Sequence, residues 1–208
     1  MILTNIKMER IKNFDSDILE ALVLNRKLIL AGGAIRDALF GNEIQDYDLF
    51  LENGADVEQV KSFFIEKGYL NTFTCPEGKL FTYVKSKDGG VQIGKYDPSK
   101  HIKVQIIVKR YYYDVLDLIN SFDFSVTYFG MCFQNNTLKI YTNRRAIVDV
   151  RKKRINLVNL EYPASTINRL HKYRARGYYC GFVIKDIVKR VAEMGNSYDP
   201  ETDALYID

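Results

Sequence analysis

Cysteine and histidine are scarce in this chain, and long apolar runs are missing. The three cysteines, Cys75, Cys132 and Cys180, are odd in number and far apart, which argues against a secreted disulfide scaffold. Their spacing suits no zinc site, and His101 and His171 add little to one. Uninterrupted apolar stretches such as 28–31 and 63–65 fall far short of the ~18 residues a bilayer-spanning helix needs, which excludes a transmembrane protein. Residues 1–20 lack the apolar stretch of a secretory signal. No internal repeat, linker or low-complexity tract interrupts the chain. A strong charge is missing too: 30 Lys and Arg against 26 Asp and Glu leave a net +4, which by itself implies no nucleic acid. These absences lead to the expectation of a soluble protein in a reducing, cytoplasmic compartment, with no membrane partner.

What is present is enough for a packed core. Of the 208 residues 47% are hydrophobic and 13% aromatic, which fits one domain, or one domain with a small second one. The mild charge is unevenly spread. Between positions 144 and 176 lie ten Arg or Lys, and the only acids are Asp149 and Glu161. Such a stretch makes either a positive face for phosphates or a solvated helix face. The last ten residues, 199–208, are acidic and read as a loose end.

Hydrophobic periodicity gives a coarse order of elements. Asp15 or Ser16 caps a first helix carrying Ile18, Leu19, Leu22 and Val23. Residues 27–31 read as a short buried strand, broken by Gly32-Gly33, and 34–40 as a helix ending at Gly41. A second strand covers 46–51, and a helix covers 57–67 with Gly68 as its stop. From 71 to 109 the chain is strand-like, with a turn at 88–90 leading into 91–93 and a buried strand at 102–108. A short helix at 114–119 precedes a hairpin of 129–133 and 138–141 around Asn135-Asn136. Beyond Arg144 the pattern is helical, notably at 164–176 and 183–194. The expected architecture is α/β (α+β): a mixed sheet flanked by helices over 1–145, then a small C-terminal helical segment over 146–208.

Two features that can carry chemistry stand close together. The first is the glycine pair Gly32-Gly33, at the end of a strand and the start of a helix. Glycine lets backbone approach a ligand closely, and a helix start presents free N–H groups to an anion. A plain tight turn is the alternative. The second is Asp46-Tyr47-Asp48 on the next strand. Side chains at i and i+2 of a strand share a face, so the two carboxylates lie together and repel. A divalent metal resolves that repulsion, and Mg²⁺ favours carboxylates together with substrate phosphates. Two such ions about 3.5–4 Å apart, bridged by both acids, activate an attacking hydroxyl and stabilise a leaving pyrophosphate. A solvated turn or strand end is the alternative for an Asp-x-Asp step alone. A phosphate cradle beside a cation site is what nucleotidyl transfer requires.

The run Leu30-Ala31-Gly32-Gly33-Ala34-Ile35-Arg36-Asp37, then Leu39-Phe40-Gly41, then Asp46-Tyr47-Asp48-Leu49 resembles the head-domain signature of the bacterial CCA-adding tRNA nucleotidyltransferases and poly(A) polymerases, members of the DNA polymerase β-like superfamily. Downstream, Asp123-Phe124-Ser125-Val126 resembles the block that handles the incoming nucleotide. The segment 146–149 sits where that family has a strand and loop leading into a neck. Residues 167–178 resemble a helix of the same family. The resemblance implies a five-stranded or similar mixed sheet and a helical neck. It implies that Gly32 and Gly33 contact a triphosphate, that Asp46 and Asp48 bind Mg²⁺ (or Mn²⁺), that Asp123 touches the nucleotide, and that Arg169 and Lys172 line the same cleft. Within the motif, Arg36 braces the triphosphate or pairs with Asp37 or Asp46, and Asp37 is grouped with the nucleotide-binding residues.

The sequence departs from that pattern at defined places. Ser121 and Phe122 stand where the family has paired arginines. The strand best placed to carry a third carboxylate, 101–109, has Gln105 and no acid. The chain also stops where family members continue with helices that grip tRNA, which makes CCA addition less expected than the head motif alone implies. The function expected is a metal-dependent nucleotidyltransferase that moves a nucleoside monophosphate from an NTP to a hydroxyl, foremost an RNA (tRNA) 3′ end, releasing pyrophosphate. A non-catalytic or weakly active protein that binds nucleotide or nucleic acid, or regulates a partner protein, is the alternative. Transfer to a protein side chain, of the toxin–antitoxin kind, is the second alternative. The tyrosine run 111–113 is read as a strand-to-helix corner, with base stacking as its alternative.

Overall fold

The computed structural model describes residues 2–3, 13–90, 95–180 and 183–194. The strand expected at 91–93 and the acidic end 199–208 lie outside the described residues. Two compact units make up the chain: Met1–Ile119 with Phe129–Thr142, and Asn120–Tyr128 with Asn143–Asp208. Among the described residues no helix is long and apolar enough to cross a membrane.

The first unit is built on one mixed sheet. Its strands are β1 (Ile2–Leu3), β2 (Leu28–Ala31), β3 (Tyr47–Glu52), β4 (Leu70–Thr74), β5 (Leu80–Ser86), β6 (His101–Tyr112), β7 (Phe129–Gln134) and β8 (Thr137–Thr142). Their spatial order is β1-β8-β7-β2-β3-β6-β5-β4. β3 and β6 run parallel, and every other neighbouring pair is antiparallel. The sheet therefore has eight strands, three more than the resemblance implied, because short strands extend it at both edges.

The helices follow from local chemistry. Asp15 accepts a hydrogen bond from the Asp17 amide and starts α1 (Ser16–Leu24), whose Ile18, Ala21 and Leu22 are buried. α2 (Gly33–Phe40) closes on Gly41, which is left-handed at φ 74°. Asp56 caps α3 (Val57–Glu66) by accepting from the Glu58 and Gln59 amides. α4 is Val115–Asn120. Between β7 and β8, Asn135 and Asn136 both take positive φ (52° and 58°), the geometry that matches a two-residue turn to strand twist.

Alternation along the strands sorts the sheet into two faces. On one, Phe64 of α3 stacks on Tyr83, and the Tyr47 hydroxyl accepts from the Asp15 amide at the head of α1. Leu49, Val104 and Ile106 on that face are fully buried, each burial contributing roughly 1.5–3 kcal/mol. On the other face one row of registered residues crosses the sheet: Gly130, Ala31, Asp48, Gln105 and Thr82. At one end of that row a Cβ on Gly130 would collide with Val115 and reach within 3.0 Å of Ile119, so glycine is what lets α4 pack there.

The second unit contains a 3-10 turn (Ser125–Thr127), α5 (Arg144–Arg151), β9 (Arg154–Ile155), α6 (Pro163–Ala175), β10 (Tyr179–Cys180) and α7 (Val183–Met194). Residues 146–149, aligned by the resemblance with a strand and loop, lie inside α5 instead. Asn143 accepts from the Ala146 amide and starts that helix, which is amphipathic enough to override the aligned expectation. β9 and β10, which pair in parallel, were not anticipated; two-residue strands leave no period to read. Tyr173 sits edge-on between Phe124 and Tyr178, forming the aromatic centre of this unit.

Candidate active site

Where β2 runs out, Gly32 takes φ 84° and ψ −133°, a conformation closed to residues with a Cβ. Its amide donates to the Phe129 carbonyl at 2.8 Å, which pins the turn to β7. α2 then starts at Gly33. A Cβ on Gly32 would lie 3.8 Å from Oδ2 of Asp48, so the glycine turn and the carboxylate are immediate neighbours. The sequence-predicted juxtaposition of Gly32 with Asp48 is thus present in space. Its basis is the antiparallel pairing of Ala31 with Asp48.

Asp46 and Asp48 are half-buried, and β3 begins at Tyr47, so Asp46 sits one residue before the strand rather than within it. Asp46 is held by Lys103 of β6, whose ammonium lies 2.9 Å from its Oδ2 and 5.5 Å above the Tyr96 ring. Tyr47, between the two acids, points to the opposite face. Burial pushes its hydroxyl up to about 12, so it acts there as a neutral packing and hydrogen-bonding group.

Arg36 and Asp37 are engaged with each other. Arg36 is 2% exposed, and its Nε and Nη2 donate to the two oxygens of Asp37 at 2.9 and 2.8 Å. The guanidinium folds back over the helix start, 3.3 Å from where a Gly33 Cβ would be. Of the pairings considered from sequence, the one with Asp37 is present.

The remaining sequence-predicted residues belong to the second unit. Asp123 is buried, and its Oδ2 accepts from Nε of Arg169 at 2.7 Å. Its carbonyl accepts from the Val158 and Asn159 amides. Lys172 is half-buried one turn further along α6, and His171 is exposed. A group that sequence reasoning did not single out is Asp149, fully buried and accepting from Ser125, Asn156 and Arg154 at 2.6–2.9 Å. Burial pushes its carboxyl up, but those hydrogen bonds outweigh it and hold the acid below its ordinary value.

The donor set on the first unit can be tested for a cation. Among the described residues no group of three or more His, Cys, Asp or Glu gathers. Beside Asp48, however, Gln105 stands in parallel register, 9% exposed, and its Oε1 has no hydrogen-bond partner among the described residues. Asp48 and the buried amide oxygen of Gln105 are neighbouring hard oxygen donors of the kind Mg²⁺ or Mn²⁺ takes, with Asp46 just before the same strand. A cavity of about 380 Å³ opens beside Lys103, lined by Asp15, Asn42, Tyr47, Lys87 and His101 among others; neither glycine of the pair lines it.

The sheet order and the glycine–carboxylate turn define a protein of the nucleotidyltransferase-like fold. It is similar to a CCA-adding enzyme of Thermotoga maritima complexed with tRNA (TM-score 0.59, 15% identity, covering 94% of this chain and 47% of that one). It is also similar to a CCA-adding enzyme in an apo form (0.60, 14%, 92% and 46%) and to an apo tRNA-processing enzyme (0.55, 17%, 88% and 49%). The chain thus spans about half the length of these structures. Residues 5–153 match the model of Gad2, the Gabija anti-defense 2 family, and the chain belongs to that family. No curated protein matches it by sequence.

Proposed function

We propose that the protein is a metal-dependent nucleotidyltransferase that moves a nucleoside monophosphate from an NTP to a hydroxyl, and that it acts against the Gabija defence for which its family is named. The observation that carries this reading is the contact of Gly32 with Asp48, in a fold similar to CCA-adding enzymes. The Gly32 turn and the free amides at the start of α2 receive the donor's terminal phosphates. Asp46, Asp48 and Gln105 are the residues that would hold a divalent cation, which supplies charge neutralisation at the α-phosphate and the departing pyrophosphate. The acceptor hydroxyl gives up its proton to solvent as its oxygen attacks the α-phosphorus, the bond to the bridging oxygen breaks, and pyrophosphate leaves. The Arg36–Asp37 pair keeps the start of α2 rigid beneath the phosphates. In the second unit, Asp123 accepts from Arg169, and these two with Lys172 are the residues to which the family resemblance gives a nucleotide-handling role.

An RNA 3′ end is the acceptor favoured by the exposed bases of α5 and α6, Arg145, Arg151 and Arg174, and by Arg176 at the end of α6. Gln105 at the third position favours a second reading, in which the protein binds nucleotide and regulates a partner without turnover. Incubation with each labelled NTP, Mg²⁺ or Mn²⁺ and total RNA, alongside Asp46→Ala and Asp48→Ala, separates the two. Label on RNA that both variants lose supports transfer to RNA. Label on protein moves the acceptor. Thermal stabilisation by NTP without any label supports the binder.

A further inference from the structure

We propose that the cavity beside Lys103 is a nucleoside subsite, and that it holds the 3′-terminal nucleotide of an RNA acceptor. The inference rests on the transfer to RNA given under Proposed function and adds where the acceptor's end binds. The cavity, of about 380 Å³, belongs wholly to the first unit. Phe14, Tyr47, His101 and Ile102 form its buried lining, and the exposed residues Asn13 and Asn42 stand beside them. Aromatic and apolar surface next to amide groups suits a flat ring whose edges exchange hydrogen bonds, which is what a nucleobase is. The walls are also fastened to one another. The Asp15 amide donates to the Tyr47 hydroxyl at 3.1 Å, and the Phe14 and Tyr47 rings meet at 5.9 Å. The Tyr96 hydroxyl donates to the Gln45 carbonyl, and its ring lies 6.0 Å from that of His101, which ties the loop before β3 to the start of β6. A site held in shape this way loses little freedom on binding.

Position and charge decide which nucleotide fits. Lys103 lines the cavity, and its ammonium lies 2.9 Å from Asp46, so the cavity adjoins the acid pair. Asn42 lines it too, and its main-chain amide donates to the carbonyl of Asp37 in α2 at 2.8 Å. Neither Gly32 nor Gly33 lines it, so a donor's phosphates on the glycine turn leave it open. Lys87, which is exposed, donates to the Pro98 carbonyl at 2.6 Å, a neutral partner that leaves its charge for a phosphate. Asp15 and Glu43 in the same lining repel a chain of three phosphates. The end of an RNA strand brings one base and one phosphate, whereas a free NTP brings three phosphates, so the lining favours the acceptor.

The test uses the full chain and a short fluorescein-labelled single-stranded RNA, linear or closed into a circle, with binding read by anisotropy in the absence of NTP. The wild type is expected to bind the linear form about tenfold more tightly than the circle. Ile44→Trp, which fills the cavity from its lining, and Lys87→Glu lose that preference. NTP with Mg²⁺ still raises the melting temperature of both variants as it does that of the wild type. Lys87→Glu decides the matter if circular dichroism shows that the tryptophan variant does not fold. A preference retained in the variants, or absent from the wild type, overturns the subsite and leaves the transferase reading intact. Loss of NTP stabilisation together with the preference gives the cavity to the donor and overturns its assignment to the acceptor. If no NTP stabilises the wild type and no label passes to RNA or protein, both this inference and the transferase reading beneath it fall.

Discussion

Gly32 and Asp48 meet across the β2–β3 pair: the carboxylate oxygen of one lies 3.8 Å from where the other would carry a Cβ. Neither residue explains the contact alone. Ala31 pairs with Asp48, and the chain must then turn away from the sheet at once to begin α2. Only glycine can make that turn at φ 84°. Gly32→Ala is therefore expected to destabilise the first unit by about 1–3 kcal/mol through backbone strain. It also brings a methyl group against Asp48. Chemical denaturation measures the first effect. Loss of Mn²⁺-dependent stabilisation, beyond the shift in midpoint, measures the second.

The buried pair of Arg36 and Asp37 predicts a structural cost. Removing one partner leaves the other charged in a site that is 2% exposed at Arg36 and 11% at the Asp37 side chain. Asp37→Ala is expected to cost about 3–5 kcal/mol. Arg36→Lys loses the two-pronged geometry and falls between that variant and the wild type. Equal stability of Asp37→Ala and wild type in urea would sink this view of the helix start.

Asp149 predicts a pH dependence. Burial works against its ionised form, and hydrogen bonds from Ser125, Asn156 and Arg154 more than offset that, so its folded value lies below the ordinary 3.8. A depressed acid stabilises the fold above its unfolded value and ceases to do so as pH falls through the folded one. Asp149→Asn is expected to cost about 2–3 kcal/mol at pH 7, and the gap to wild type narrows below about pH 4. Urea denaturation at pH 7, 4 and 3 checks the sign. A gap that widens on acidification contradicts it.

Gly130 carries a packing prediction on β7. An added Cβ there runs into Val115 and comes within 3.0 Å of Ile119, both on α4. Valine has little rotamer freedom to move aside, so Gly130→Ala is expected to cost about 1–3 kcal/mol by overpacking. Gly130→Ala combined with Val115→Ala should recover part of that loss, and a double-mutant cycle by thermal melting reads the recovery.

Much of the fold was legible in local patterns. The helix start at Asp15, the helix expected over 57–67, the stop at Gly41 and the hairpin at Asn135-Asn136 are each a short-range event, in which a side chain or a left-handed residue satisfies nearby backbone. α6 and α7 likewise follow their apolar period. The edge strand β1 and the two-residue pair β9–β10 were not legible, because strands this short hold their place through partners further away in sequence. The helix α5 replaced an aligned strand for the converse reason: its own cap and amphipathic face outweighed a distant likeness.

The candidate site divides along the same line. A glycine pair and an Asp-x-Asp step are written in consecutive residues, so the chain alone determines that a glycine turn is followed by two closely spaced acids, the first just before β3 and the second on it. Which groups answer those acids was decided by tertiary structure. Lys103 and Gln105 reach Asp46 and Asp48 only because β6, more than fifty residues further along, lies parallel to β3 in one particular register. Arg36 is spent on Asp37 because the helix start is buried. Charge partners are set by distance in space, and strand register across a sheet is fixed by burial of a whole face rather than by any local motif.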